Sequence, residues 1–169
     1  MSTSLLTSSR EHLRESLHVC LNVPRWIDAV AAHFPFASTA DLLDIARDAA
    51  TPLSRAEVDE ALAEHARIGE APATGSEQAR RFSRAEQNSA DASDEHLAFD
   101  LAEGNRAYEA RFGRVFLIRA AGRTRAQILD ELYRRLALDD DSENDIVAEE
   151  LRDIALLRLE ALAGAGGDT

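Results

Sequence analysis

Apolar residues recur through most of the chain at the three- and four-residue spacing of helices that bury one face. Several of these stripes are preceded by Ser or Thr with an acidic residue or Gln three positions later, the spacing of helix N-terminal caps. The predicted caps are Ser8 with Glu11, Ser38 with Asp41, Ser54 with Glu57, and Thr124 with Gln127. These patterns predict an all-α fold of about seven to eight helices.

Proline, glycine and one short β-branched run predict where the helices are interrupted. Pro24 suits the first turn of a helix, Pro52 breaks one, and Gly113 follows another. The run from Val115 to Ile118 is too short to build a sheet, and we expect an extended segment that crosses a pocket with its backbone groups free. Residues 139–144 are polar and acidic, and they predict a loop before the last helix.

Length and composition indicate one globular domain. The chain has 169 residues, of which 45% are hydrophobic and 30% charged, and such a chain can bury a sizeable core. We expect a single compact domain over residues 1–169, with its core at roughly residues 8–163 and short loose tails. No run approaches the roughly 20 apolar residues that span a bilayer, and the N-terminus lacks the pattern of a secretory signal. Because Cys20 is the single cysteine, we expect no internal disulfide and a cytoplasmic protein.

The charge balance limits the kinds of partner. The formal net charge is −12 at pH 7, and no cluster of Lys and Arg offers the contacts that phosphate backbones require, so we expect no nucleic-acid partner. We interpret the acidic run at residues 139–143 as a solvated face. Since an acidic surface does not steer anions toward a protein, an anion site needs a local pocket with its own Arg.

Three ionisable residues lie on otherwise apolar helix faces: His65, Glu86 and Arg158. A buried charge without a partner is costly, and one explanation is that all three meet in one pocket, where the carboxylate and the guanidinium tune an imidazole for proton transfer. The alternatives are that His65 is a hydrogen-bonded core residue, that Glu86 completes a capping box with Ser83, and that Arg158 extends to the surface. From spacing alone these alternatives stay open.

Other kinds of catalytic site have little support in the sequence. The remaining histidines, His12, His18, His33 and His96, form no ligand set with His65, and we expect no metal site. The chain has no Gly-rich phosphate loop and no serine in a nucleophile elbow.

A series of short motifs follows one another along the chain. They are Trp26, Pro35-Phe36, His65-Ala66-Arg67-Ile68-Gly69, Ser83-x-x-Glu86-Gln87, Asn105-x-x-Tyr108-x-x-x-Phe112-Gly113-x-x-Phe116, and Leu157-Arg158-Leu159. Each motif is weakly specific, but the ordered set resembles the OHCU decarboxylase family, the 2-oxo-4-hydroxy-4-carboxy-5-ureidoimidazoline decarboxylases of urate degradation. The family usually has Pro where this chain has Ala66, and Trp where it has Phe82; these departures bear on substrate fit more than on reaction class.

The resemblance implies a cofactor-free, all-α carboxy-lyase that forms (S)-allantoin and is usually a homodimer. Carried over by residue, the catalytic histidine falls on His65 and the catalytic carboxylate on Glu86, while Ser83 and Arg158 bind the substrate. Further substrate contacts are implied at Gln87 and along Phe116, Leu117 and Ile118. The expected partners are a small anionic ureidoimidazoline and a second copy of the chain.

The residues also fit two other functions. One is a small acidic helical binding module whose inward polar side chains are structural. The other is a paralogue that keeps the fold and the pocket but acts on a different ureide acid.

Overall fold

The computed structural model describes residues 4–63 and 77–165, and within these ranges the regular secondary structure is entirely α-helical. The helices are α1 (Arg10–Cys20), α2 (Pro24–Ala31), α3 (Thr39–Ala49), α4 (Arg55–Leu62), α5 (Glu77–Glu86), α6 (Glu95–Phe112), α7 (Arg125–Leu136) and α8 (Asp140–Ala165). The predicted all-α fold class is confirmed. None of the helices in the described ranges combines the length and the apolar character that crossing a bilayer requires.

The chain divides into two compact units. The first unit comprises Met1–Ala61 and Leu151–Thr169, and the second comprises Leu62–Glu150. Helix α8 supplies residues to both. A single domain over the whole chain stays a prediction.

In the first unit, α2 packs against both α1 and α3. Helix α1 buries Leu13 and Leu17, and Pro24 occupies the first turn of α2, as predicted. Trp26 is fully buried, and its indole Nε1 donates to the carbonyl of Ala46 in α3 at 2.9 Å. Because a buried indole N–H requires an acceptor, this hydrogen bond sets how α2 lies on α3.

Two of the predicted caps begin helices in the first unit. The Ser38 hydroxyl accepts a hydrogen bond from the N–H of Asp41 at 3.1 Å. The N–H of Glu57 donates to the Ser54 hydroxyl at 3.2 Å, and the N–H of Ser54 donates to the Glu57 carboxylate at 2.8 Å. This reciprocal pair satisfies two amides that the helix itself leaves without partners, so both predicted caps are confirmed.

The predicted cap at Ser8 is wrong by one residue. Helix α1 begins at Arg10, and Ser9, whose backbone is extended, accepts the N–H of His12 at 3.1 Å. The residue directly before the first helical one is placed to reach the third amide of the helix. The start of α1 at Arg10 therefore selects Ser9.

In the second unit, α6 and α7 pack against each other and share a core. That core includes Leu101, Tyr108, Phe116, Ile118, Ile128 and Leu132. The two helices approach closely at Gly104, where an added Cβ would lie 3.0 Å from Leu132 Cδ2. Helix α6 ends at Gly113, as predicted, with a left-handed φ of 70°. The predicted capping box of Thr124 and Gln127 begins α7.

The predicted loop at residues 139–144 is wrong, because α8 begins at Asp140. Asp139 caps this helix: its carboxylate accepts from the N–H of Ser142 at 2.8 Å. Acidic side chains in a first turn are favoured by the positive end of the helix dipole, so the acidic run stabilises a helix start. Asp140 is exposed, but Glu143 is fully buried, which contradicts the interpretation of the whole run as a solvated face.

Candidate active site

The predicted catalytic histidine, His65, lies outside the described residues. The helix that precedes it, α4, buries Val58, Ala61 and Leu62 along one face, as the apolar stripe predicts. The inward orientation of His65 on the continuation of this stripe stays a prediction.

Glu86 is the last residue of α5 and is half-buried, as is Gln87 directly after it. Helix α5 runs continuously from Glu77 through Ser83, so the alternative in which Ser83 caps a new helix is wrong. A cap requires a non-helical backbone before the first turn, whereas Ser83 is inside a helix. The Ser83 side chain lies outside what the structure describes, and its contact with substrate stays a prediction.

Arg158 lies on the buried stripe of α8 together with Val147, Leu151 and Ile154, and it is 6% exposed. The alternative in which its side chain extends to the surface is therefore wrong. Its Nη1 lies 3.5 Å from the carbonyl of Val19, in the last turn of α1. The carbonyls at a helix C-terminus carry partial negative charge, which complements a guanidinium.

These placements leave the convergence of the three ionisable residues as a prediction. Glu86 belongs to the second unit and Arg158 to the first, while His65 is not among the described residues. The described residues do supply a buried cation and a half-buried carboxylate, the two groups expected to accompany the imidazole. In the same ranges, no group of three or more His, Cys, Asp or Glu side chains is arranged to hold a metal ion.

The segment 115–120 connects α6 to α7 without forming a helix or a strand. Its side chains Phe116, Leu117 and Ile118 are all at least 96% buried, since their exposed fractions are 0%, 4% and 2%. The expectation that its backbone groups are free is wrong at two positions. The Leu117 carbonyl accepts from Arg135 Nη1 at 2.7 Å, and the Arg119 N–H donates to Glu150 at 2.7 Å.

A buried polar network lies beside this segment and was not predicted. Arg135 and Glu143 both have fully buried side chains. Arg135 Nε lies 2.9 Å and 3.0 Å from the two Glu143 carboxylate oxygens, and Nη2 also donates to this carboxylate. The Tyr108 hydroxyl donates to Glu143 Oε1 at 2.6 Å. Burial, and then the hydrogen bond to Glu143, raise the pKa of Tyr108 to about 12, so the phenol stays a donor at neutral pH.

Aromatic rings enclose the same network. The guanidinium carbon of Arg135 lies 4.7 Å from the centroid of the Phe116 ring, a distance at which the ring quadrupole attracts a cation. Tyr108 packs edge-on against Phe116, with 5.1 Å between ring centroids. The network thus holds segment 115–120 through both a side chain and a main-chain carbonyl.

A sequence pattern for Arg135 was available. Ile128, Leu132 and Arg135 stand at i, i+4 and i+7 on α7, the same spacing that identifies His65 and Arg158 as polar residues on apolar stripes. Its partner Glu143 was not identifiable in this way, because the acidic run around it predicted a loop.

Comparison with known sequences identifies a family. The family model described as OHCU decarboxylase matches residues 7–160. The Uric acid degradation bifunctional protein TTL of Arabidopsis thaliana is 39% identical over 106 residues, which are 61% of this chain and 32% of that protein. The match therefore spans about a third of the length of this relative.

Comparison with solved structures agrees with the family match. A crystal structure of OHCU decarboxylase in the presence of (S)-allantoin has a TM-score of 0.71 at 27% identity, covering 93% of this chain and 99% of that one. A crystal structure of (S)-allantoin synthase has a TM-score of 0.63 at 16% identity, covering 94% of this chain and 52% of that one, and shares the fold. The chain belongs to the OHCU decarboxylase family, and the predicted enzyme class, a carboxy-lyase, is confirmed.

Proposed function

We propose that this protein decarboxylates 2-oxo-4-hydroxy-4-carboxy-5-ureidoimidazoline to (S)-allantoin, as a step of urate degradation. The observation that carries the proposal is the family match over residues 7–160. The similarity over nearly the full length of an OHCU decarboxylase structure determined in the presence of (S)-allantoin supports the same product.

The chemistry of this substrate accounts for a reaction without an added cofactor. When the bond from C4 to the carboxylate breaks, its electron pair forms a C4–C5 double bond and displaces the C5–N π pair onto the ring nitrogen, which is protonated. CO₂ leaves, and an enol remains. The 4-hydroxyl then loses its proton as C4 becomes a carbonyl, and C5 gains a proton. The substrate thus supplies its own electron sink, the task that pyridoxal phosphate or thiamine performs elsewhere.

The protein's task is to bind the anion, stabilise developing charge and deliver the C5 proton to one face. Arg158, buried at the end of α1, binds an anionic oxygen of the substrate. His65 transfers the proton of the 4-hydroxyl or the ring, and Glu86 orients it. Ser83 and Gln87 bind the ureido group or the ring edge, and the peptide groups of residues 116–118 complete the site.

Three further features belong to the proposal. The enzyme acts without a cofactor or a metal, because the substrate holds its own electron sink. It works as a homodimer, as the family resemblance implies. It works in the cytoplasm, and the single, buried Cys20 suits a reducing compartment.

The test is turnover of freshly generated substrate. Urate oxidase and 5-hydroxyisourate hydrolase produce the substrate from urate, and circular dichroism follows the appearance of optically active allantoin. Uncatalysed decay gives racemic allantoin, so an accelerated, single-enantiomer signal supports the proposal. No acceleration would indicate a binding module, and acceleration with a different ureide acid alone would indicate a paralogue.

His65→Asn tests the assigned catalytic histidine. The amide retains polarity but cannot transfer a proton, and general acid–base groups contribute about 10²- to 10⁴-fold. We therefore expect kcat/KM to fall at least about 10²-fold, measured by the same dichroism assay. The matched control is His96→Asn, since His96 is exposed on α6; near-normal formation of one enantiomer by His65→Asn would remove His65 from the mechanism.

A further inference from the structure

The segment 115–120 lacks a helix or strand ladder to hold its backbone in place, yet the proposed function requires its peptide groups to meet a small ligand in a fixed geometry. We propose that Arg135 is a positioning residue that fixes this segment for substrate binding, and that Glu143 and Tyr108 hold Arg135 in place. This inference rests on the proposed function. It adds residues that make no contact with substrate in that proposal.

The contacts of Arg135 reach the segment at two adjacent residues. Nη1 donates to the Leu117 carbonyl at 2.7 Å, and the guanidinium plane faces the Phe116 ring at 4.7 Å. The Arg119 N–H is bound separately by Glu150. Of the peptide groups around the segment's centre, those of Phe116 and Ile118 are therefore the ones turned to other uses. A ligand bound there depends on the Leu117 carbonyl staying where Arg135 holds it.

The network is built for one orientation of the guanidinium. Nε and Nη2 both meet the Glu143 carboxylate, which leaves Nη1 directed at Leu117. The Tyr108 hydroxyl occupies a further lone pair of Glu143, so the carboxylate cannot rotate without losing a buried hydrogen bond. A planar fork with several donors makes these contacts together, whereas the single ammonium of lysine cannot.

The expected kinetic effect is on KM. Backbone contacts from residues 116–118 bind substrate and transition state alike, and loss of such uniform binding raises KM while kcat stays nearly constant. A purely structural role gives the opposite pattern. Partial unfolding removes active molecules, which lowers the apparent kcat and leaves KM unchanged.

The experiment compares Arg135→Lys with Arg134→Lys in the dichroism assay, at a temperature well below both melting points. Arg134 is the adjacent residue of α7, is exposed, and pairs with Glu131 one turn earlier. We expect Arg135→Lys to raise KM about tenfold with kcat within about threefold of the wild type, and Arg134→Lys to change neither.

Tyr108→Phe provides a second test if Arg135→Lys does not fold. It removes one hydroxyl and keeps the ring, and we expect KM to rise by about two- to threefold, again with little change in kcat. An unchanged KM in folded Arg135→Lys, or in folded Tyr108→Phe where the lysine variant does not fold, beside normal wild-type turnover would overturn the positioning role alone. Absence of turnover by the wild-type chain would overturn the proposed function and, with it, this role.

Discussion

Arg135 has the most demanding surroundings of the residues that define the second unit. Its side chain and that of Glu143 are both fully removed from solvent, and desolvation of two charges is offset only when every donor and lone pair finds a partner. The Leu117 carbonyl and the Tyr108 hydroxyl complete that set. Such a network adds little net stability compared with an apolar core of equal volume, but it admits one arrangement of its members.

The Tyr108 phenol provides a spectroscopic test of this network. Its pKa is raised to about 12, so a difference titration of wild type against Tyr108→Phe, followed by phenolate absorbance, should show ionisation near pH 12. Because the folded pKa is above the ordinary value of 10.0, the stabilisation is complete below about pH 10 and declines as the pH rises toward 12. Ionisation of Tyr108 near pH 10 in the folded protein would show that its hydroxyl is not in the buried network.

At the residue scale, the sequence predicts which side chains are unusual better than it predicts what they touch. The stripe on α8 correctly places Arg158 inside the protein, and Arg135 fits the same pattern on α7. The Val19 carbonyl and the Glu143 carboxylate could not be identified as their partners, because each contact depends on how separate elements pack.

At the element scale, the start of α7 depends on a residue far from it in the chain. The Asp91 carboxylate accepts the N–H of Arg125 at 2.7 Å and the N–H of Ala126 at 3.1 Å. Thr124 accepts the following amide, that of Gln127, at 3.1 Å. The first three amides of α7 are therefore all bound by side chains, and the negative charge of Asp91 lies at the positive end of the helix dipole.

Asp91→Asn tests this distant cap. The variant keeps the size of the side chain but loses the charge, and we expect a lower melting temperature at pH 7. The hydrogen bond from the Arg125 N–H is the main cause that lowers the pKa of Asp91 below 3.8. Its contribution is therefore present above about pH 4 and is lost as the pH falls through the lowered value.

Thermal denaturation from pH 7 to pH 2 checks this expectation, with Asp130→Asn, an exposed site within α7, as the control. The melting temperatures of wild type and Asp91→Asn should converge at the acidic end. A difference that is constant across the whole range would contradict a charge-dependent cap.

Gly104→Ala tests the close approach of α6 and α7. Alanine gains about 1 kcal/mol of helix propensity over glycine, but its Cβ would lie 3.0 Å and 3.1 Å from the two methyl carbons of the fully buried Leu132. Overpacking of this kind costs about 1–3 kcal/mol. We expect a net loss of about 1 kcal/mol in urea unfolding. Gly164→Ala, where an added Cβ meets nothing within 4 Å, should not be destabilised; a stabilised Gly104→Ala would contradict tight packing here.

The elements that the sequence predicts well are those with local causes. Helix starts at Ser38, Ser54 and Thr124 follow from hydrogen bonds within one turn. The loop predicted at residues 139–144 fails because acidic residues favour both loops and helix N-termini. Asp139 and Ser142 already stand at the spacing of a cap, but only packing against α7 shows that Glu143 is buried.

At the scale of the whole molecule, the fold and the family could be predicted because both are spread along the chain. The helical stripes and the ordered motifs extend over most of its length, and each contributes independently. The candidate site is different, since His65, Glu86 and Arg158 are separated in sequence and come from separate helices or their flanks. Their convergence depends on tertiary packing, for which local spacing carries no information.

A double-mutant cycle tests whether His65 and Arg158 act on one substrate molecule. We compare kcat/KM for wild type, His65→Asn, Arg158→Lys and the double variant. Groups that act together on one transition state lose their effects non-additively, so the double variant should retain more activity than the product of the two single losses predicts. The expected coupling is about 0.5–3 kcal/mol. The same cycle with His96→Asn, on exposed α6 surface, should be additive. Additivity of His65 and Arg158 to within about 0.3–0.5 kcal/mol would mean that the two groups act independently, and the shared pocket would have to be abandoned.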